Sequence, residues 1–443
     1  MTRATPPANE PANGRTNWAG NVVFSAARRP RPTSVAAMQQ VVAHAASVRV
    51  LGTGHSFNAI ADTVGDLVSV DALPRTIDVD QDRSQVQVTG AVRYGELGRE
   101  LARAGYALPN TGSLPHISVA GACATGTHGS GVHNQTLAAS VRSLTLVTAA
   151  GDLLTLDRTA GEEFNGCVLA LGRLGVVVSL VLDVVANFSV AQTVVERVPD
   201  ATVADGLEAI LSAAYSVSIF TDWAGGSNQV WVKERVDRAG AWTGHPVWGG
   251  RQADGQRHPI HGMPPENATA QLGVPGPWNE RLPHFRPDFT PSSGDELQSE
   301  YLLPMEHAGP AWHALSTMRE VVGPLLQISE IRAVAPDPMW LSLTGGCPSV
   351  AFHFTWVRES AAVRPVVAAV EERLEPFGAR PHWGKVFATS PTTLARLYPR
   401  LADFRRLVTD VDAAGKFGND VVDRWIGLRP VGTTHETHSP RSA

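Results

Sequence analysis

Two loops carry residue types that suit a large polar ligand, the first of them a diphosphate. Gly52-Thr53-Gly54-His55-Ser56-Phe57-Asn58 follows directly on the apolar run Val48 to Leu51. Glycines let backbone amides wrap a diphosphate, because they adopt positive φ and carry no side chain to clash. His55 would stand out from such a cradle; the plainer alternative is a tight bend with a solvated imidazole. The loop lacks the third glycine of GxGxxG at Phe57, and GxxxxGKS/T occurs nowhere, so a dinucleotide Rossmann fold and a P-loop NTPase are both disfavoured. The second loop, Asn110 to Gly131, joins Ser113-Leu114-Pro115-His116-Ile117-Ser118-Val119-Ala120-Gly121 to Ala124-Thr125-Gly126-Thr127-His128-Gly129-Ser130-Gly131. So many amides and hydroxyls need a partner if buried, and a large polar ligand would supply one.

Chemistry of another kind sits farther along. In Ile328 to Val334, Glu330 and Arg332 share one strand face and Ile331 and Ala333 the other. In Val350 to Val357, His353 and Thr355 share a face opposite Phe352, Phe354 and Trp356. Each strand thus pairs an apolar face with a row of donors and acceptors suited to a polyhydroxylated ligand. The alternatives are that these faces meet solvent, or that Glu330 simply pairs with Arg332. Lys385, in Pro381-His382-Trp383-Gly384-Lys385, is either a further ligand-binding cation or a solvated lysine.

The elements that must position these groups follow from periodicity. A helix is expected over Thr33 to Ser47, a buried strand over Val48 to Leu51, alternating segments at Leu67 to Leu73, Thr76 to Val79 and Gln85 to Thr89, and a helix over Tyr94 to Ala104. A hairpin over Val141 to Leu156 turns at Gly151-Asp152, and Val176 to Val185 closes the unit. Beyond Phe188 come a helix (Val203 to Ala214), strands at Ser216 to Trp223 and Gln229 to Glu234, and a Pro/Gly/His-rich stretch, Arg238 to Pro291, too long for a simple connection. That stretch reads as a lid or a subunit contact. Strands at Ser299 to Pro304, Ile328 to Val334 and Val350 to Val357 alternate with helices at His307 to Leu326 and Ala361 to Leu374.

Composition narrows the classes. At 443 residues two or three domains are expected. With 43% hydrophobic and 18% charged residues, extended disorder is disfavoured. A net charge of −5 without a basic stripe argues against nucleic acid. Three Cys cannot form a disulfide framework and fit a reducing compartment. Met1 to Thr16 lacks an apolar h-region, and the longest apolar stretch, Leu174 to Leu182, is too short for a bilayer, so a soluble, cytoplasmic protein with no membrane partner is expected. His435 and His438 do not form HExxH, His258 and His261 lack further ligands, and Ser113 lacks GxSxG, so neither a metal site nor a serine hydrolase is expected.

The strand followed by GTGHSFN, with SLPHISVAG and ATGTHGSG, resembles the FAD-binding domain of the vanillyl-alcohol oxidase (PCMH-type) flavoproteins, and within that family its alditol oxidase branch. The likeness runs from Asn17-Trp18-Ala19-Gly20-Asn21 through Gly384-Lys385-Val386-Phe387 to Gly415-Lys416-Phe417. It implies an α+β fold in two domains: a PCMH-type FAD-binding domain and a substrate (cap) domain with a mixed or antiparallel sheet and helices. The expected division is a leader at 1–16, the FAD domain at 17–190, the cap at 191–411, a C-terminal segment at 412–430 completing the FAD domain, and a polar tail at 431–443. By resemblance, FAD is covalently attached at His55, with Leu51, Gly52, Thr53, Gly54 and Ser56 along the diphosphate. Ser113, Ser118, Gly121, Thr125, Gly126, Thr127, His128 and Val177 continue the cofactor site. A berberine-type second linkage through Cys is not expected.

The same likeness assigns Ser113, Glu330, Arg332, His353, Thr355 and Lys385 to a pocket for a polyol such as xylitol or sorbitol, whose terminal CH-OH is oxidised to the aldose while O2 is reduced to H2O2. His353 is the preferred base because an imidazole titrates near neutrality, with Lys385 as the alternative. Arg332 and Lys385 would stabilise the alkoxide, and Glu330 would anchor distal hydroxyls. A histidyl substituent would raise the flavin potential. Gly112 departs from the alanine usual in that branch, and Thr111 beside it is also unusual; the added room beside Ser113 is expected to preserve oxygen reactivity, and either change could alter substrate preference. The rival readings are an aldonolactone oxidase or dehydrogenase, and a polyol-binding flavoprotein without activity. Oligomeric state is left open.

Overall fold

The computed structural model describes residues 16–224, 228–237, 245–289 and 292–429. The leader before Thr16, the tail with His435 and His438, and the ends of the Arg238 to Pro291 stretch lie outside the described residues.

The first unit opens with helix Val35–His44, where the Ser34 side chain accepts from the Ala37 amide and so satisfies one of the donors a helix start leaves free. The buried strand Val48–Leu51 pairs in parallel with Asp66–Ser69. Behind it lies a five-stranded antiparallel sheet in the order Ile77–Asp80, Gln85–Thr89, Val176–Asp183, Val141–Val147, Leu153–Asp157. Alternate residues of Val176–Asp183 are buried, the period-2 pattern of a sheet with one covered face. One difference from the sequence expectation lies in the Asn110 to Gly131 loop, which contains the helix Val119–Thr125. Small residues mask its period: Val119, Ala122 and Cys123 are the buried positions, spaced i, i+3, i+4.

The second unit is a nine-stranded antiparallel sheet, among the described residues, whose centre runs Asn228–Arg235, Ser216–Thr221, Leu326–Val334, Ser349–Val357, Glu296–Pro304. Helices Asp200–Leu211, Ala308–Ser316 and Ser360–Leu374 cover one face, burying Val203, Trp312 and Val367 against Ile219, Ile331, Phe352 and Trp356. The single helix expected over His307 to Leu326 is broken into Ala308–Ser316 and Arg319–Val322, followed by a 3₁₀ turn over Gly323–Leu325. Gly323 and Pro324 account for the stop, since proline lacks the amide and clashes with the preceding turn.

Residues 245–289 lie over the opposite, polar face of this sheet. Ala253, Ile260 and Ala268 form a small core with Val194, Phe220, Trp231 and Ile328. The Gln192 side chain donates to Thr269 O (3.1 Å), and the Thr269 hydroxyl donates to Pro283 O (2.7 Å). The stretch is therefore a roof. Chain order then returns to the first unit: helices Pro391–Leu397, Leu401–Val411 and Asp420–Trp425 bury Leu394, Phe404 and Val422 in the first unit's core. Arg173 pairs with Asp412 at 2.8 Å, Arg49 donates to Phe417 O at 2.7 Å, and the Val48 amide donates to Lys416 O at 2.8 Å. The units also meet through the Gly131 amide, which donates to Ala333 O at 2.8 Å. Among the described residues no helix is long and apolar enough to cross a membrane, and Cys123, Cys167 and Cys347 are all free thiols.

Candidate active site

A cavity of about 1780 Å³, open mouth included, lies between the two units. Its first-unit wall is made of glycines and small residues in close contact. A Cβ on Gly52 would fall 2.6 Å from Ser118 Oγ, and one on Gly121 2.8 Å from the same atom. Gly54 has φ +69°, a conformation in which glycine is at ease. The Ser118 amide donates to Thr53 Oγ1 (3.2 Å), which ties the two loops together. Ser118 also precedes the helix Val119–Thr125 without capping it, and Ala120 and Gly121 of its first turn line the cavity, where amides lack helical partners. This is a surface on which backbone donors can meet an anion.

His55 stands at the same wall. Its ring stacks on Trp18, with centroids 5.3 Å apart and planes at 16°. Both ring nitrogens are buried and have no hydrogen-bond partner. Burial, reinforced by the nearby His116 and Arg93, pushes its pKa down to about 3, so the imidazole is neutral. A glycine cradle that a Cβ would fill, next to an imidazole with both nitrogens unengaged, fits FAD: the cradle suits its diphosphate, and either nitrogen is free to bond its ring system.

The second-unit wall is a grid set by register. Glu330 pairs with His353 across one strand junction, and His353 pairs with Glu300 across the next, so three adjacent strands place Glu330, His353 and Glu300 in one row. Neighbouring strands are about 4.8 Å apart, which fixes the row's spacing. Arg332 lies two residues from Glu330 on the same face, and Thr355 two residues from His353. Lys385 reaches the row from the turn that follows His382, whose amide donates to Glu300 O (2.9 Å).

Glu300 is the hub of this wall. It accepts from Arg332 Nη2 at 2.5 Å and from Lys385 Nζ at 2.7 Å, with His128 Nε2 at 3.4 Å. Burial alone would raise its carboxyl, but Lys385 and Arg332 outweigh that and hold it well below the usual range. Burial likewise opposes Glu330, whose carboxyl is nevertheless lowered by Arg332 and His284. His284, on the roof, approaches Glu330 Oε1 at 2.7 Å through Nε2. Burial lowers Lys385, with Glu300 opposing. Burial and then Lys385 push His353 down to about 3, so, in correction of the sequence expectation, it does not titrate near neutrality. Its two nitrogens are buried and without partners.

Of the residues singled out in the sequence, Leu51, Gly52, Thr53, Gly54, His55 and Ser56 line the cavity, as do Ser113, Ser118, Gly121, Thr125, Thr127, His128 and Val177 on the same side and Glu330, Arg332, His353, Thr355 and Lys385 opposite. Gly126 does not: it ends the short helix at φ +77° and faces Leu169 and Leu343. Gly112 lines the cavity, and a Cβ there would sit 3.4 Å from Thr127 Cγ2, so an alanine would fit. Sequence reasoning missed Glu300 and His284. A signal for the first existed: Glu296, Gln298 and Glu300 alternate with Leu297, Ser299 and Tyr301. None existed for His284, which lies in a segment without periodicity.

Residues 29–157 match the family model of an FAD binding domain, and residues 295–425 match that of D-arabinono-1,4-lactone oxidase. The chain is 51% identical over 411 residues to the alditol oxidase of a Streptomyces species, covering 91% of this chain and 97% of that one. It is 29% identical over 448 residues to L-gulono-1,4-lactone dehydrogenase of Mycobacterium tuberculosis, covering 93% and 99%. Among solved structures, a solvent-stable cholesterol oxidase superposes with a TM-score of 0.74 at 14% identity, covering 95% of this chain and 100% of that one. A chitooligosaccharide oxidase gives 0.71 at 12%, covering 91% and 93%. At those identities the structural likeness concerns the fold.

Proposed function

The chain belongs to the alditol oxidase family, and from that premise we propose that it is an FAD-dependent oxidoreductase converting the terminal CH-OH of an acyclic polyol, such as xylitol or sorbitol, to the aldose. The observation that carries this reading is one cavity with a glycine cradle on one side and a buried row of hydroxyl-binding groups on the other. The chemistry that FAD supplies when bound is acceptance of a hydride from carbon, with O2 as terminal oxidant and hydrogen peroxide as product. Leu51 to Ser56, with Ser118, Gly121, Thr125, Thr127, His128 and Val177, would hold it, and His55 is the residue we assign to the covalent attachment.

The cap residues then act on the substrate. Glu330 accepts hydrogen bonds from distal hydroxyls, with Thr355 on the same wall and Ser113 opposite, 3.5 Å from Arg332 Nη1. Arg332 and Lys385, held in place by Glu300, donate to the oxygen of the reacting carbinol and stabilise the negative charge that develops there. Lys385 is a donor in this arrangement because Glu300 favours its ammonium form. That leaves His353 to take the hydroxyl proton. It is neutral with free nitrogens, and it need not be a strong base: as the C–H electron pair leaves, the hydroxyl becomes a carbonyl oxygen whose proton is far more acidic. The free thiols accord with the cytoplasmic location we assign.

A second reading, oxidation of a sugar lactone, draws on the match of residues 295–425. Steady-state turnover separates the two. Peroxide formed with xylitol or sorbitol is the expected outcome; turnover of gulonolactone with an artificial acceptor, and none of polyols, would overturn it. Acid precipitation should leave the yellow colour in the pellet, whereas colour wholly in the supernatant would remove the attachment from His55.

A further inference from the structure

Lys233 forms no part of the cavity wall, yet it is an amine only 1% exposed, on the polar face of the strand Asn228–Arg235. Its Nζ donates to Leu282 O at 2.5 Å, to Pro283 O at 3.4 Å and to His284 Nδ1 at 2.9 Å. An ammonium has three N–H groups and no lone pair, so the contact with His284 has one direction: Nδ1 accepts. Nε2 must then carry the ring proton, and it donates to Glu330 Oε1 at 2.7 Å. Arg332 Nε also approaches Oε1, at 3.6 Å. The other oxygen, Oε2, faces His353 Nδ1 at 3.9 Å, beyond hydrogen-bond reach. One oxygen of Glu330 is thus engaged by the protein and the other is left for a ligand.

We propose that Lys233 is a positioning residue for substrate length: by fixing the tautomer of His284 it holds Glu330 with Oε2 turned to the cavity, where the distal hydroxyls of longer polyols donate to it. The inference rests on the polyol-oxidising reading above and deepens it. Without the ammonium, Nδ1 can carry the proton instead, and Nε2 then presents a lone pair to a carboxylate and repels it. The charged and titratable groups facing this pair are Glu330 and Arg332 on the strand Leu326–Val334 and His353 on its neighbour, with Glu300 and Lys385 behind them. Burial brings the Lys233 amine down to about 7, with Glu330 opposing and Arg332 reinforcing the shift, so its charge is lost within the range of ordinary assays.

The test compares sorbitol with glycerol, which offers no hydroxyl beyond its third carbon, on the FAD-loaded protein. In Lys233→Met at pH 6, KM for sorbitol should rise roughly 10-fold, the scale of one hydrogen bond to a charged group, with kcat within about 2-fold and glycerol kinetics nearly unchanged. In the wild type, the ratio of the two KM values should rise as pH passes from 6 to 8, and in Lys233→Met it should be flat. Equal effects on both substrates, no effect on either, or a wild-type ratio independent of pH would overturn the proposal. If Lys233→Met does not fold, the wild-type ratio alone decides. Wild-type protein that oxidises neither polyol overturns the reading of function itself, a result distinct from any of these.

Discussion

The cavity wall built by the first unit is made of glycines, small side chains and backbone amides, whereas the wall built by the second is made of charged side chains on adjacent strands. The first recognises by shape. Gly52 and Gly121 are both within 3 Å of Ser118 Oγ if given a Cβ, so the loops approach this closely only because no side chain stands at either position. The second recognises by charge balance: Glu300 and Glu330 are set against Arg332 and Lys385 in a buried site. The cradle is most sensitive to added volume, while an ion network tolerates changes of volume better than the loss of one partner.

That contrast breaks most readily at Glu300. Glu300→Gln keeps the shape and removes the charge, leaving Lys385 buried without its counter-ion and Arg332 with Glu330 alone. We expect a loss of about 3–5 kcal/mol in unfolding free energy and a fall in kcat/KM of roughly 100-fold or more, read by denaturant melts and steady-state kinetics. If volume alone mattered on this side, the variant would behave as wild type. The converse test is Gly52→Ala, which adds volume without charge. It should lower the share of protein that incorporates FAD severalfold, measured as the ratio of flavin to protein absorbance, through an overpacking cost of about 1–3 kcal/mol. Adding Ser118→Ala, which removes the oxygen 2.6 Å from the new methyl, should recover part of that loss.

The smallest effect concerns protons. Burial holds His353 down to about 3 and His284 to about 4, against 6.5 for a free imidazole. The unfolded chain therefore binds protons at these sites over a pH range in which the native protein does not. Their contribution to stability is complete above about pH 6.5 and is lost as pH falls toward those lower values. Glu300 and Glu330, held below the carboxylate range, add a loss of the same sign at lower pH. Melting temperatures should fall steadily from pH 7.5 to 4.5, and His353→Gln should flatten the profile by about 1.4 kcal/mol at pH 5.5. A profile unchanged by that substitution would mean His353 is hydrated in the native state.

The cradle is the most legible part of the sequence, because glycines directly after a buried strand have few uses besides letting the backbone approach a ligand closely. The polar faces around Glu330 and His353 are legible for a related reason: alternation assigns a face to every residue of a strand once one residue is placed. Glu300 obeys the same rule, but a strand that begins at Ser299 shows too little alternation to single it out, and pairing extends the strand back to Glu296. His284 and Lys233 could not be found that way. Their meeting depends on how an aperiodic roof settles on a sheet, which is decided by long-range packing. Gly126 misleads for the opposite reason: it sits inside a motif, but its left-handed conformation serves to stop a helix.

Alternation along the Leu326–Val334 and Ser349–Val357 strands has a further result for how such a protein can change. Residues that touch a ligand and residues that hold the helices never compete for the same position, since each strand sends its odd and even side chains to opposite sides. Specificity can thus drift, or be redesigned, one alternate position at a time while the scaffold behind it keeps its own packing intact.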